Sequence, residues 1–273
     1  MTLVQAIILG IVQGATEFIP VSSSGHLVLV PHLLKWKLDP EIAFAYDVLV
    51  HWGTLGAVLI YFRNDLWKFA GAALRGIFSG RPFQTAEARL AWLLIAATIP
   101  AGVIGLALAD FFEMVFGSPL NSALFLLGTA LILTWSEKQS RPGKNMEQIT
   151  LGNALFIGLG QALAIFPGLS RSGATIAAGL WCGLDRVSAA RFSFLMSVPV
   201  ILGAGLLPLR ELVQTNQISA NLPALCAGFA ASIITGYICI DFLMKFLQRR
   251  KLYVFALYCL IFGGLNLALL WLK

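Results

Sequence analysis

Apolar residues run along this chain in blocks too long and too uniform for the surface of a soluble fold. Six of them read as uninterrupted membrane-crossing helices, at about 43–62, 90–109, 120–135, 192–209, 222–243 and 253–272. A crossing takes about 20 apolar residues, so the third is short for one. Two further apolar stretches, 3–34 and 151–184, are broken in the middle, the first by PVSSSGH (Pro20–His26) and the second by PGLSRSGAT (Pro167–Thr175). A cluster of Pro, Gly and Ser at membrane depth cannot face lipid, because its backbone polar groups need partners there. Each broken stretch is therefore expected to be a re-entrant helix–loop–helix with its tip buried in protein.

Composition agrees. Of 273 residues, 58% are hydrophobic and 12% charged, against about 25% charged in an ordinary soluble domain. The mean hydropathy is +0.83. These values exclude a soluble globular enzyme, a disordered chain and a nucleic-acid-binding module. The formal charge of +6 reads as an orientation signal, since Lys and Arg collect in cytoplasmic loops. Loops 63–89 (Arg63, Lys68, Arg75, Arg81, Arg89), 136–150 (Lys138, Arg141, Lys144) and 245–251 (Lys245, Arg249, Arg250, Lys251) should be inside. Loop 110–119, with Asp110 and Glu113 and no basic residue, should be outside. Parity then puts 185–191, with Arg186 and Arg191, inside, and 210–221, the N-terminus and 35–41 outside. This closes only if the first broken stretch dips from outside and the second from inside. Cys182, Cys226, Cys239 and Cys259 all lie in apolar stretches at spacings that match no metal or redox motif, and are expected to be reduced packing residues. No basic region precedes the first apolar stretch, so a cleavable leader is not expected. Tyr and Trp near span ends read as interface anchors.

The two broken stretches resemble each other. A shift of 148 positions without gaps superposes Ala6 on Ala154, Gly10 on Gly158, Gln13 on Gln161, Phe18 on Phe166, Ser22 on Ser170, Ser24 on Ser172 and Gly25 on Gly173. Each stretch is followed by three full spans, an odd number, so the halves should be inverted copies. The expected fold is an all-α polytopic membrane protein of two inverted repeats, 1–135 and 151–273, joined by a cytoplasmic linker at 136–150. Proteins built this way often place their site at the midplane, where interrupted helices meet.

The breaks also carry the chemistry. Glu17 leads into the first, and an ionisable residue inside a membrane costs about 2.5–3.5 kcal/mol on insertion scales, which marks it as functional by default. Gln13, four residues earlier, shares its helical face. Two oxygen donors at that spacing could hold a hard divalent cation, or one could orient the other. Ser22, Ser23, Ser24 and His26 follow. A helix cap accounts for one Ser; hydroxyls beside an imidazole suit nucleophilic or acid–base chemistry. The second break supplies the opposite charge in Arg171, whose guanidinium matches phosphate geometry. Around it Ser170, Ser172, Thr175 and a Gly-rich loop can offer hydroxyl and N–H donors. Asp47 and His51, at i and i+4 in the first full span, are candidates for a supporting layer behind His26 or for a proton path.

QGATEFIPVSSSGH (13–26) and PGLSRSGAT (167–175) resemble the two signature motifs of the bacterial undecaprenyl-diphosphate phosphatase family of the bacitracin-resistance type, and similarity extends to FAYDVLVHWGTLGAV (44–58). The resemblance implies a multi-pass enzyme of the bacterial inner membrane with its active site open to the periplasm. Its reaction would be hydrolysis of undecaprenyl diphosphate to undecaprenyl phosphate and inorganic phosphate. That recycles the lipid carrier for peptidoglycan synthesis and confers bacitracin resistance. The resemblance also implies dependence on Mg2+ or Ca2+, with Gln13 and Glu17 as the positions to hold it. The family pattern has Glu or Gln, three residues, then Glu. Glu17, His26 and Arg171 match the family's essential residues, and Ser23 its candidate nucleophile. The expected mechanism has Ser22, Ser24, Ser170, Arg171, Ser172 and Thr175 holding phosphate, Ser23 or water attacking, and His26 moving the proton. The alternative is a transporter or flippase for a phosphorylated polyprenyl lipid, since broken helices in inverted repeats are common in carriers. A carrier needs a phosphate clamp but not an imidazole beside hydroxyls.

Overall fold

A computed structural model describes the chain except Pro142, Thr215, Asn216 and Lys273; the side chains of Glu113 and of 207–220 are also left undescribed. The expected outer loop at 210–221 and the Glu113 carboxylate thus fall largely outside the described residues. The rest is helical: α1 (Leu3–Phe18), α2 (Ser23–Leu33), α3 (Pro40–Tyr61), α4 (Arg63–Phe78), α5 (Ala86–Ala107), α6 (Ala109–Val115), α7 (Pro119–Gln139), α8 (Leu151–Leu163), α9 (Arg171–Trp181), α10 (Arg186–Gln214), α11 (Gln217–Phe246) and α12 (Tyr253–Trp271). Six of these, α3, α5, α7, α10, α11 and α12, are long and apolar enough to cross a membrane. The protein is an all-α, multi-pass membrane protein.

Local chemistry sets the boundaries. Thr2 and Thr150 cap α1 and α8 with reciprocal bonds to Gln5 and Asn153, which satisfies donors that a helix start otherwise leaves open. Pro20 disfavours helical backbone at the residue before it, and Ile19 is extended. Ser22 and Ser170 then cap α2 and α9, each accepting from the N–H three residues on (Gly25 and Gly173, 3.3 and 3.0 Å). At 1.5 Å per residue α1 and α8 reach roughly 24 and 20 Å, short of a hydrocarbon core of about 30 Å.

α1 packs along α11 and α8 along α5, while α7 pairs with α12 and α3 with α10 and α11. Gly10 and Gly158, equivalent under the 148-residue shift, both lie against the backbone of a neighbouring helix. A Cβ on Gly10 would collide with the carbonyl oxygen of Gly228, and one on Gly158 with that of Ala97. Without a hydrophobic driving force in lipid, such close backbone contact is what holds helices together.

Three features differ from the sequence reading. The loop expected at 63–89 contains α4, whose charges Arg63, Asp65, Lys68 and Arg75 recur at helical spacing while Phe69 and Ala72 are buried. The 110–119 loop contains α6. The short third span extends to Gln139, because its polar end is buried: Glu137 accepts from Arg186 Nε and Nη2 (2.8 and 2.6 Å) and from the Leu252 N–H (2.9 Å). That carboxylate ties the starts of α10 and α12 to the end of α7. Arg191, similarly, pairs with Asp65 of α4 at 2.6 Å. The two arginines read as charges of the 185–191 loop thus each hold a carboxylate of another helix.

Candidate active site

The two breaks meet. The Gly168 N–H donates to Ser24 Oγ at 3.4 Å, and Ser172 Oγ donates to the Ile19 carbonyl at 3.5 Å. A Cβ on Gly25 would lie 3.1 Å from Gly168 Cα, and one on Gly173 would lie 3.5 Å from Pro20 Cβ. Thr129 of α7 fixes the second tip, donating to the Gly168 carbonyl (3.2 Å) and accepting from the Ser170 N–H (2.9 Å).

Glu17, 6% exposed, is the hub of this junction. Its Oε1 accepts from Arg171 Nη2 at 2.7 Å. Its Oε2 accepts from Ser23 Oγ at 2.5 Å and from Gln13 Nε2 at 2.9 Å. His51 Nε2 stands 3.8 Å from the same oxygen, with its Nδ1 2.7 Å from the Asp47 carbonyl. Ser23 and Arg171 are the first residues of α2 and α9 and correspond under the 148-residue shift, so the two helix starts deliver a hydroxyl and a guanidinium to one carboxylate. A cavity of about 470 Å³ opens beside them, lined among others by Glu17, Ser22, Ser23, Ser24, Asp47, His51 and Arg171.

His26, Ser170, Ser172, Thr175 and Gln13 do not line that cavity. Ser170 and Ser172 face each other at 3.2 Å, and Thr175 Oγ1 lies 2.6 Å from Ser193 Oγ. His26 is buried against α12, its ring nearly parallel to those of Phe262 (4.7 Å) and Tyr258 (5.7 Å). Its Nδ1 is 2.7 Å from the Ser22 carbonyl and its Nε2 2.7 Å from the Tyr258 hydroxyl. A carbonyl can only accept, so Nδ1 carries the proton and Nε2 accepts from Tyr258. Neither nitrogen is spare. The imidazole instead holds Ser22, which adopts φ +71°. A non-glycine residue in such a region costs about 1–3 kcal/mol and persists only where its surroundings impose it. The His26 contact thus fixes the backbone immediately before Ser23.

Tyr258 and Phe262 had no motif to announce them. Their i, i+4 spacing puts both on one face of α12, and tyrosine near a span end reads as an interface anchor; Tyr258 is instead a partner of His26.

Between them Gln13 and Glu17 leave one oxygen open: Gln13 Oε1 is buried and has no hydrogen-bond partner. Both Glu17 oxygens are engaged, one by a guanidinium, and Gln13 spends its amide N–H on Glu17. Among the described residues no three His, Cys, Asp or Glu side chains converge on a point that could hold an ion.

A family model described as bacitracin resistance protein BacA matches residues 6–265. The chain belongs to the BacA family. Relatives cover nearly all of it. Each of three bears the name undecaprenyl-diphosphatase: one from Rubrobacter xylanophilus is 43% identical over 99% of both chains. One from Chlorobaculum tepidum is 43% identical over 96% of this chain and 95% of its own. One from Moorella thermoacetica is 42% identical over the full length of both. The name is that of a hydrolase, and the transporter alternative gains nothing from it.

Proposed function

We propose that this BacA-family chain is an undecaprenyl-diphosphatase. It hydrolyses the phosphoanhydride of undecaprenyl diphosphate, giving undecaprenyl phosphate and inorganic phosphate. The observation that carries this reading is the single buried carboxylate shared by a serine hydroxyl and a guanidinium at the wall of one cavity.

Phosphoryl transfer asks mainly for positioning and for stabilisation of charge on the equatorial oxygens. Arg171 supplies the charge, and the serine hydroxyls at the cavity wall supply further donors. Ser23 Oγ attacks the terminal phosphorus and its proton passes to Glu17 Oε2, already 2.5 Å away. The bond from phosphorus to the bridging oxygen breaks, and undecaprenyl phosphate leaves as an anion that needs no proton. Glu17 gives that proton up to solvent, by way of His51 at the cavity wall. Water then attacks the phosphoserine and gives a proton to Glu17, which passes it to Ser23 Oγ as the bond from phosphorus to Oγ breaks and inorganic phosphate leaves. His26 is a positioning residue in this scheme, acting through Ser22. Any divalent cation the reaction uses, Mg2+ or Ca2+, would come with the diphosphate.

The same reading gives the setting. The halves 1–135 and 151–273 form inverted repeats around the 136–150 linker, supported by the matched caps at Ser22 and Ser170 and the matched close approaches at Gly10 and Gly158. With the basic loops inside, Phe44 and Asp47 at the cavity wall lie in the outer half of α3 and His51 at its middle, so the cavity opens to the periplasmic face of the bacterial inner membrane. Recycling the carrier there serves peptidoglycan synthesis and confers bacitracin resistance.

The test is phosphate release by purified protein in detergent, where no compartments exist. Release of one phosphate per undecaprenyl diphosphate, lowered about 10³-fold or more in Ser23→Ala, is the expected result. No release by the unaltered protein refutes the hydrolase. A Ser23→Ala rate within tenfold of it assigns the attack to water.

A further inference from the structure

A second cavity, of about 590 Å³, lies between α5, α8 and α10 and shares Arg171, Ala164, Ile165, Val200 and Ala204 with the first. It holds one polar side chain that nothing explains. Gln161 is 3% exposed, lines this cavity, and has no hydrogen-bond partner for either side-chain atom. Its counterpart Gln13 bonds to Glu17, but the position matching Glu17 in the second half is Ile165, which offers nothing. A buried amide left unpaired costs about 1–3 kcal/mol for each group, so native proteins retain one only for a reason. Arg171 also lines the cavity, and its Nη1 is buried and without a partner. The remaining walls are apolar or small. The cavity opens on the flank of the bundle, where Gly102, Leu106 and Gly203 are exposed, and a Cβ on Gly102 or Gly203 would meet only open space.

Two orphaned donors at the inner end and apolar walls running outward define an amphiphile with its anionic end inward. We propose that this side cavity is the subsite for the lipid-linked phosphate and the first isoprenyl units. Gln161 Nε2 and Arg171 Nη1 bind the phosphate, and the tail leaves between α5 and α10. Arg171 then spans the two phosphates of one substrate, with the terminal one beside Ser23 in the first cavity. The cavity is too small for a whole polyprenyl tail, which continues into the bilayer. The inference rests on the hydrolase reading above.

Two variants test it, measured with undecaprenyl diphosphate in detergent. Gln161→Leu removes the orphaned amide at nearly constant volume. A ligand-holding role predicts kcat/KM down about tenfold or more with thermal stability equal to or above that of the unaltered protein. Gly102→Phe fills the flank opening, where its Cβ meets no neighbour, and should raise KM about tenfold with kcat within about twofold. Unchanged kinetics in Gln161→Leu, or a loss of activity that merely follows a loss of stability, would overturn the phosphate assignment. An unchanged KM in Gly102→Phe would overturn the tail path. Both outcomes leave hydrolysis by the unaltered protein in place, whereas absence of that hydrolysis ends the functional reading and this inference with it.

Discussion

Replacing Glu17 by Gln keeps the side chain's size and removes its charge and basicity. The carboxylate accepts three hydrogen bonds, from Arg171, Ser23 and Gln13. The amide can still accept from Arg171, but its NH2 now faces the Ser23 hydroxyl and cannot take its proton. Loss of a positioned base costs about 10²–10⁴-fold in rate. Stability falls for a separate reason. Breaking a buried ion pair from one side costs about 3–5 kcal/mol, and because the Arg171 side chain keeps 15% exposure the lower end of that range applies. Adding Arg171→Met removes the stranded charge, and stability should return to within about 1 kcal/mol of the starting value, because apolar replacement of a buried pair is often neutral. Activity should not return. Phosphate release in detergent reads the first effect, and tryptophan fluorescence during unfolding by sodium dodecyl sulfate reads the second. A Glu17→Gln rate within tenfold of the unaltered protein would refute the base. A double variant no more stable than Glu17→Gln would refute the pair.

Three further outcomes are expected. His26→Ala should lower kcat about 10²-fold, the scale of an ångström-sized misplacement, while His26→Asn, which keeps a donor for the Ser22 carbonyl, should recover to within about tenfold; equal loss in both would make the imidazole a direct proton carrier. Gly14→Ala should destabilise by about 1–3 kcal/mol, since its Cβ would lie 2.7 Å from the Ser232 carbonyl oxygen and 2.8 Å from the Gly236 nitrogen, and unchanged unfolding would disprove the close α1–α11 contact. Isothermal titration of Mg2+ or Ca2+ into protein without substrate should show no saturable site, and one tight site lost in Glu17→Gln would restore Gln13 and Glu17 as metal ligands.

Much of the fold was legible because lipid imposes coarse rules. Span length and the Pro, Gly and Ser clusters inside apolar runs located all six long apolar helices and both breaks. The polar end of α7 was not legible, since Ser136 and Glu137 look like a span terminus until Arg186 and the Leu252 N–H are known to reach them. α4 was missed because its low apolar content reads as loop when only span-length runs are sought. At the site, Glu17, Ser23 and Arg171 stood out as polar groups where polarity is costly. Their convergence was implied by the repeat, which places Ser23 and Arg171 at the same position of two helices. The surroundings of His26 were hidden, because Tyr258 lies 232 residues away and nothing local marks it. Gln161 was visible only as a repeat identity; its lack of a partner follows from Ile165 standing where the first half has Glu17.

One site assembled from both breaks is the claim on which the rest depends, and a cross-link tests it most directly. With the four native cysteines replaced by alanine, Pro20→Cys and Gly173→Cys would carry Cβ atoms about 3.5 Å apart, within the range of about 3.5–4.5 Å found in disulfides. Mild oxidation followed by thiol labelling and intact-mass measurement should show both thiols consumed within a single chain. Two freely labelled thiols, or cross-links only between chains, would place the tips apart and contradict the account.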